Sequence, residues 1–259
     1  MKKSQIVTAI IVVAFVGLLI GINSIEPKRV SEAQEQESLQ AQQQIQEAEA
    51  AEQSAREQVA AADEGPETPT LESNEPFQVE FECSNGTFVL EIYPEWAPYG
   101  AARFHEVIEA GIYNEARFFR VMDDFVVQWG IPGDPEVAKA WDARTIKGEP
   151  VKADKSAGKI TYAMLSGNLD SRTTQVYINL ADNSGNTPGR PNLDAMGFSP
   201  FGKVIKGMDV VQSINSEYGQ EPDQSLIETR GNAYLKEYFP RLDYIKSARI
   251  IESTESEAD

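Results

Sequence analysis

Two polar side chains, Arg120 and Gln128, stand among phenylalanines and valines in the stretch Phe118–Trp129, which reads FFRVMDDFVVQW. A guanidinium offers a rigid fork of donors and a permanent charge, and an amide offers both a donor and an acceptor. In an apolar setting such groups can stabilise charge or a lone pair that develops in a transition state, without a covalent step. Burying an arginine without partners is costly. Taken alone, the alternation of this stretch therefore favours Arg120 on a solvated face.

Other chemistries lack their residues. The chain has 259 residues with one cysteine, Cys83, and one histidine, His105. An intrachain disulfide is excluded, and a Cys/His zinc site cannot be assembled. His105 falls on an expected helix with no nucleophile motif beside it, which favours a structural or surface role. No G-x-S-x-G, P-loop, G-x-G-x-x-G or H-E-x-x-H motif is present. The pair Asp123-Asp124 reads as turn chemistry. A net charge of −18 repels phosphate backbones, so nucleic acid is not an expected partner.

Several elements must carry these side chains. Residues 1–25 hold Lys2, Lys3 and the uncharged run Ile6–Ile22. At about 1.5 Å per residue such a run just spans a bilayer as a helix. No A-x-A-like cleavage site follows, so an uncleaved anchor is favoured over a signal peptide. The lysines favour a cytoplasmic start, opposed weakly by Lys28 and Arg29. The expectation is a single-pass membrane protein whose body is extracytoplasmic (periplasmic). Residues 26–75 form an acidic stalk and linker, Ala/Gln/Glu-rich and helix-prone, with 13 acidic and 3 basic side chains. Ala41, Ala48, Ala55 and Ala62 repeat in sevens, but Glu52 shares a column with Ile45 and Val59. That seam suits a single helical spacer with weak self-association better than a firm coiled coil. Glu64-Gly65-Pro66-Glu67-Thr68-Pro69 ends the helix and marks a boundary.

Residues 76–251 read as the folded domain, and 252–259 as an acidic tail. FQVEFECSNGTFVLEI predicts a hairpin around Asn85-Gly86, and Pro98–Gly111 predicts a helix with Ala102, Phe104, Val107 and Ile108 buried. Residues 131–158 read as polar connecting segments. Further strands are expected near 160–163, 175–180 and 201–204, with helices over 208–214 and 231–238. Residues 242–251 close the domain as a strand or a helix and strand. Short strands between frequent turns, with few helices, predict a mainly β fold, a closed antiparallel β-barrel capped by helices.

Four blocks then stand in order: FFRVMDDFVVQWG, ITYA, SRTTQVYIN and LDAMGFSPFGKVIKGMDVV. Together they resemble the cyclophilin family of peptidyl-prolyl cis-trans isomerases, from about Phe77 to Ile251. The resemblance implies a barrel of roughly eight strands with a helix at each end. It implies isomerase activity on X–Pro bonds of polypeptide clients, with no cofactor and no metal. Residue by residue it makes Arg120 the catalytic arginine. Phe118, Phe119, Phe125, Val126, Gln128, Ala163, Gln175, Tyr177, Leu193 and Phe198 would meet the substrate. The chain departs from the family pattern at Phe119, where a histidine is usual, at Val126, often a methionine, and at Asp123-Asp124, which replaces a Pro-Gly turn. Tyr218–Tyr238 resembles an addition found in a bacterial subgroup. A non-catalytic proline-binding chaperone or scaffold module on the same fold is the alternative.

Overall fold

In the computed structural model, residues 65–165, 167–185 and 192–251 are described. The anchor, nearly all of the stalk and the acidic tail lie outside them. No helix among the described residues is long and apolar enough to cross a membrane.

Eight antiparallel strands form one curled sheet: β1 (Phe77–Cys83), β2 (Gly86–Ile92), β3 (Arg120–Met122), β4 (Val126–Trp129), β5 (Lys159–Tyr162), β6 (Val176–Asn179), β7 (Pro200–Lys206) and β8 (Ile245–Ile251). Their order is β3-β4-β6-β5-β7-β2-β1-β8. The two outer strands share no continuous ladder. Instead the residues before β3 reach the start of β8 through an Arg117–Tyr244 bridge and a hydrogen bond from Phe118 N to Asp243 O (3.0 Å). The expected closed barrel is thus a half-barrel of antiparallel strands whose edges are joined through residues 115–118 and 243–245. A three-residue β3 is too short to supply more ladder.

The alternation in β1 and β2 fills the interior. Phe81 stacks on Phe88 with ring centroids 4.8 Å apart, and Trp129 meets Phe81 and Phe118 edge-on at 5.8 and 5.5 Å. These aromatic pairs add to area burial because ring edges and faces carry opposite partial charge. The first hairpin turns at Ser84-Asn85, with Gly86 paired to Cys83. This is one residue earlier than the Asn-Gly signal suggests.

Helix α1 (Pro98–Glu109) follows the predicted pattern and buries Ala101, Ala102, Phe104, Val107 and Ile108. No side chain of its own caps it. The buried carboxylate of Glu149 does so, accepting from the backbone N–H of Tyr99 (2.5 Å) and Gly100 (2.9 Å) while Arg172 Nη1 donates to it at 3.0 Å. An anion at a helix N-terminus satisfies orphan donors and complements the helix dipole.

Three further helices differ from expectation in extent. Residues 135–142 form α2 (Pro135–Asp142) inside the stretch read as connecting, started by the Asp134 carboxylate on Glu136 N (2.9 Å). The short α3 (Met208–Gln212) stops before the expected end. Helix α4 (Gln224–Tyr238) begins seven residues before its expected start and breaks at Gly231, whose φ is 58°. There the chain touches residue 133, since a Cβ on Gly231 would lie 2.1 Å from the Gly133 carbonyl oxygen.

The expected domain start at residue 76 leaves out a packed segment. Glu67 N donates to Thr145 O (2.7 Å), Lys147 N donates to Glu67 O (2.9 Å), and Leu71 packs on the core.

Gly130 closes β4 with φ 113°, and a Cβ there would lie 2.4 Å from the carbonyl oxygen of Thr174 and 2.8 Å from Gln175 Cα. Both obstacles are backbone. Gly130→Ala is expected to lower stability by about 2–3 kcal/mol, read as a shifted midpoint in urea unfolding with an unchanged slope.

Candidate functional site

Strand register builds the site. Arg120 pairs with Gln128 across β3 and β4, Gln128 with Tyr177 across β4 and β6, and Tyr177 with Thr161 across β6 and β5. Directly opposed residues on neighbouring strands point to the same face. One row across four strands therefore presents Arg120, Gln128 and Tyr177 on the side away from the Trp129 core.

The hairpin between β3 and β4 turns on Asp123 and Asp124. Phe125 N donates to Met122 O (3.0 Å), and Asp124 takes φ 57°, a left-handed conformation that aspartate tolerates. That turn brings Phe125 around so that its ring lies beneath the guanidinium, 5.6 Å from the Arg120 carbon centre. Parity alone would have separated the two.

Arg120 is half-buried. Nη1 donates to Gln128 Oε1 (3.1 Å), and Nη2 approaches Met122 Sδ (3.4 Å). Gln128 Nε2 donates onward to Gln175 Oε1 (3.0 Å). The guanidinium is thus held by a neutral amide, a thioether and a ring. Burial pulls its pKa below the usual arginine value, offset in part by Tyr177. It stays cationic at neutral pH because an arginine starts far above it.

Beside the arginine, Val126, Tyr177 and Leu193 form a separate buried apolar cluster with Phe125, Ala163 and Phe198 packed on it. Phe198 meets Tyr177 edge-on at 5.8 Å. Burial also pushes the Tyr177 hydroxyl pKa up, so it remains a neutral phenol. The pocket opens into a cleft of about 930 Å³, which Arg120, Gln128 and Gln175 also line.

Nine of the eleven residues expected at the site line this cleft. Phe118 and Phe119 do not. Phe118 is in the main core, and Phe119 is buried in a second cluster with Ile131, Ile227, Tyr234 and Leu235, next to α4. The chain leaves the ladder before Arg120, so Phe118 and Arg120 do not share a face despite their even spacing. Further cleft residues escaped sequence reasoning: Pro66 before the domain, Asp142 and Ala143 at the end of α2, Thr173 before β6, and Gln224 and Glu228 on α4. No local motif marks them, because each reaches the cleft through contacts distant in sequence. His105 lies elsewhere, against Phe77 and Glu109.

The family model described as "Cyclophilin type peptidyl-prolyl cis-trans isomerase/CLD" matches residues 78–230. A peptidyl-prolyl cis-trans isomerase of Acinetobacter baylyi is 37% identical over 150 residues, covering 54% of this chain and 75% of its own length. Peptidyl-prolyl cis-trans isomerase B of Escherichia coli is 30% identical over 143 residues, covering 52% and 82%. The crystal structure of a cyclophilin type isomerase from Cryptosporidium parvum superposes with a TM-score of 0.50 at 17% identity, covering 69% of this chain and 99% of that one, a likeness of fold.

Gln128→Leu keeps the volume and removes both amide hydrogen bonds. It is expected to cost about 1–2 kcal/mol in urea unfolding and to drop the Arg120 Nε order parameter below about 0.6 in nitrogen relaxation.

Proposed function

The chain belongs to the cyclophilin-type peptidyl-prolyl cis-trans isomerase family and is such an isomerase, and we propose that Arg120 carries its reaction at the rim of the Val126–Tyr177–Leu193 pocket. The observation that carries the assignment is a charged guanidinium fixed by an amide, next to an apolar pocket, in one cleft.

The chemistry follows from the peptide bond. Resonance sets a rotation barrier of about 18–20 kcal/mol, and X–Pro bonds interconvert in roughly tens to hundreds of seconds uncatalysed. At the twisted transition state resonance is lost, and the proline nitrogen becomes pyramidal and able to accept a hydrogen bond. An N–H of Arg120 aimed there stabilises the twisted state over the planar one, which is the condition for catalysis. The pocket takes the pyrrolidine ring and keeps water from the amide, so the same hydrogen bond acts in a medium of lower dielectric constant. Gln128 holds the Arg120 rotamer, and Gln175 backs Gln128. Atoms balance trivially, since no bond to the substrate forms or breaks. Protein chains with exposed X–Pro bonds are the clients, and protein folding is the setting.

The reading extends to location. Lys2, Lys3 and the uncharged run Ile6–Ile22 support a single-pass anchor of a bacterial membrane-bound subgroup, with the domain extracytoplasmic on a weakly self-associating stalk. In fractionated cells the full chain is then expected in the membrane after an alkaline carbonate wash, and a chain lacking residues 1–25 in the soluble fraction. Recovery of both in the soluble fraction would refute the anchor.

Arg120→Ala is expected to lower kcat/KM for an X–Pro peptide about 10²–10³-fold, measured by exchange NMR, with the unfolding midpoint retained. Equal acceleration by both proteins would refute the role of Arg120, and acceleration by neither would favour the non-catalytic binding module. The ratio of the two rates should stay constant from about pH 6 to 9, because Arg120 holds its proton throughout that window.

A further inference from the structure

The cleft is larger than its proline pocket needs. At about 930 Å³ it lies near the top of the roughly 300–1,000 Å³ range of pockets that enclose whole ligands. A single pyrrolidine ring and the Arg120 contact leave much of it for other parts of a client. One wall of that remainder comes from Gly65 and Pro66, which precede the folded domain expected from sequence and the family match that begins at residue 78.

This wall is built rather than draped. Glu67 forms a parallel bridge with Ile146, through hydrogen bonds to Thr145 O (2.7 Å) and from Lys147 N (2.9 Å). Its carboxylate receives a fork from Arg144, Nε to Oε1 at 3.1 Å and Nη2 to Oε2 at 3.2 Å. Arg103, fully buried on α1, donates to the same carboxylate. Arg144 and Arg103 lie over the Trp141 ring at 4.6 and 5.6 Å, and Glu106 bridges both arginines. A bidentate arginine–carboxylate pair fixes orientation as well as distance. Removing one partner would leave Arg103 buried with a donor unmet. Thr145, which receives the Glu67 N–H, itself lines the cleft. The clamp therefore holds Pro66 in the same wall.

We propose that Gly65–Pro66, held by the Glu67 clamp, is a fixed wall of the client cleft and contacts client residues beyond the X–Pro pair, making Glu67 a positioning residue for extended polypeptide substrates. The proposal rests on the isomerase reading above. It assigns the stalk's end a role in substrate selection: a client long enough to leave the proline pocket meets the segment that joins the domain to its stalk.

The test compares two peptides on the full chain, a tetrapeptide with one X–Pro bond and a decapeptide with the same four central residues, by exchange NMR. Glu67→Ala and Pro66→Gly are each expected to raise KM for the decapeptide about fivefold more than for the tetrapeptide, the loss falling on KM rather than kcat. Glu67→Gln, which keeps one acceptor for the arginines, should recover part of the difference. Equal changes for both peptides, or none, would overturn the wall. Should Glu67→Ala unfold the protein, Pro66→Gly decides alone, because Pro66 takes no part in the ion pairs. If the unmodified protein accelerates neither peptide, the isomerase reading falls, and this one with it. If it accelerates both and the variants do not separate them, only the wall falls.

Discussion

A cation at the edge of an apolar pocket must be held in place without being neutralised, and the cleft is arranged around that constraint. A carboxylate opposite Arg120 would bind it more firmly than an amide does, but its negative charge would cancel the positive field that the guanidinium presents to the cleft. Gln128 meets the need with a neutral oxygen at 3.1 Å, and Gln175 in turn fixes Gln128. Among the described residues the ion pairs lie elsewhere, those with a buried cation including Glu67 with Arg103, Glu149 with Arg172 and Lys155 with Asp194. The cost of partial burial is visible in the depressed pKa of Arg120, and it stays tolerable because the side chain keeps access to the open cleft.

Register does the positioning. A slip of one residue in β4 would send Gln128 into the Trp129 core and Trp129 into the cleft. Several features resist the slip together. The Asp123-Asp124 turn sets where β3 becomes β4, Gly130 permits contact with the Thr174 and Gln175 backbone, and the interlocked rings around Trp129 fill the opposite face. The buried Glu149–Arg172 pair ties the start of α1 to the segment leading into Gln175. Its value is geometric, since replacing a buried ion pair by apolar groups is often neutral in energy.

Legibility in the sequence divides along the distance over which a residue acts. Arg120 and Gln128 stood out among valines and phenylalanines, but alternation alone favoured a solvated arginine, and only the resemblance carried by the four ordered blocks gave them a role. The first hairpin and α1 could be found because turn residues and helical spacing are local signals. Phe118 was expected at the substrate, but it stands before β3, which begins two residues later, and an even spacing from Arg120 gives a shared face only within a ladder. Helix α2 stood behind an Asp134-Pro135 start whose meaning was masked by polar neighbours. The Glu67 clamp was beyond reach, because its arginines lie 36 and 77 residues away. Nothing in a Gly-Pro-Glu linker announces such partners.

Phe119 shows how a departure from the family pattern can be structural. A phenylalanine where histidine is usual looks like damage to the site when only the motif is read. In the fold its ring faces away from the cleft, in a buried cluster with Ile227, Tyr234 and Leu235 of α4. The helix that resembles an addition thus supplies the apolar surroundings that make a phenylalanine suitable there. The same helix sends Gln224 and Glu228 to the cleft, across from Arg120's own hairpin in sequence but on one continuous surface. Residues 65–66 and α4 therefore line the same cleft as the Arg120–Gln128 pair. What these segments can change is which chains fit between the walls, since Arg120 is held by Gln128 and Gln128 by Gln175 rather than by α4.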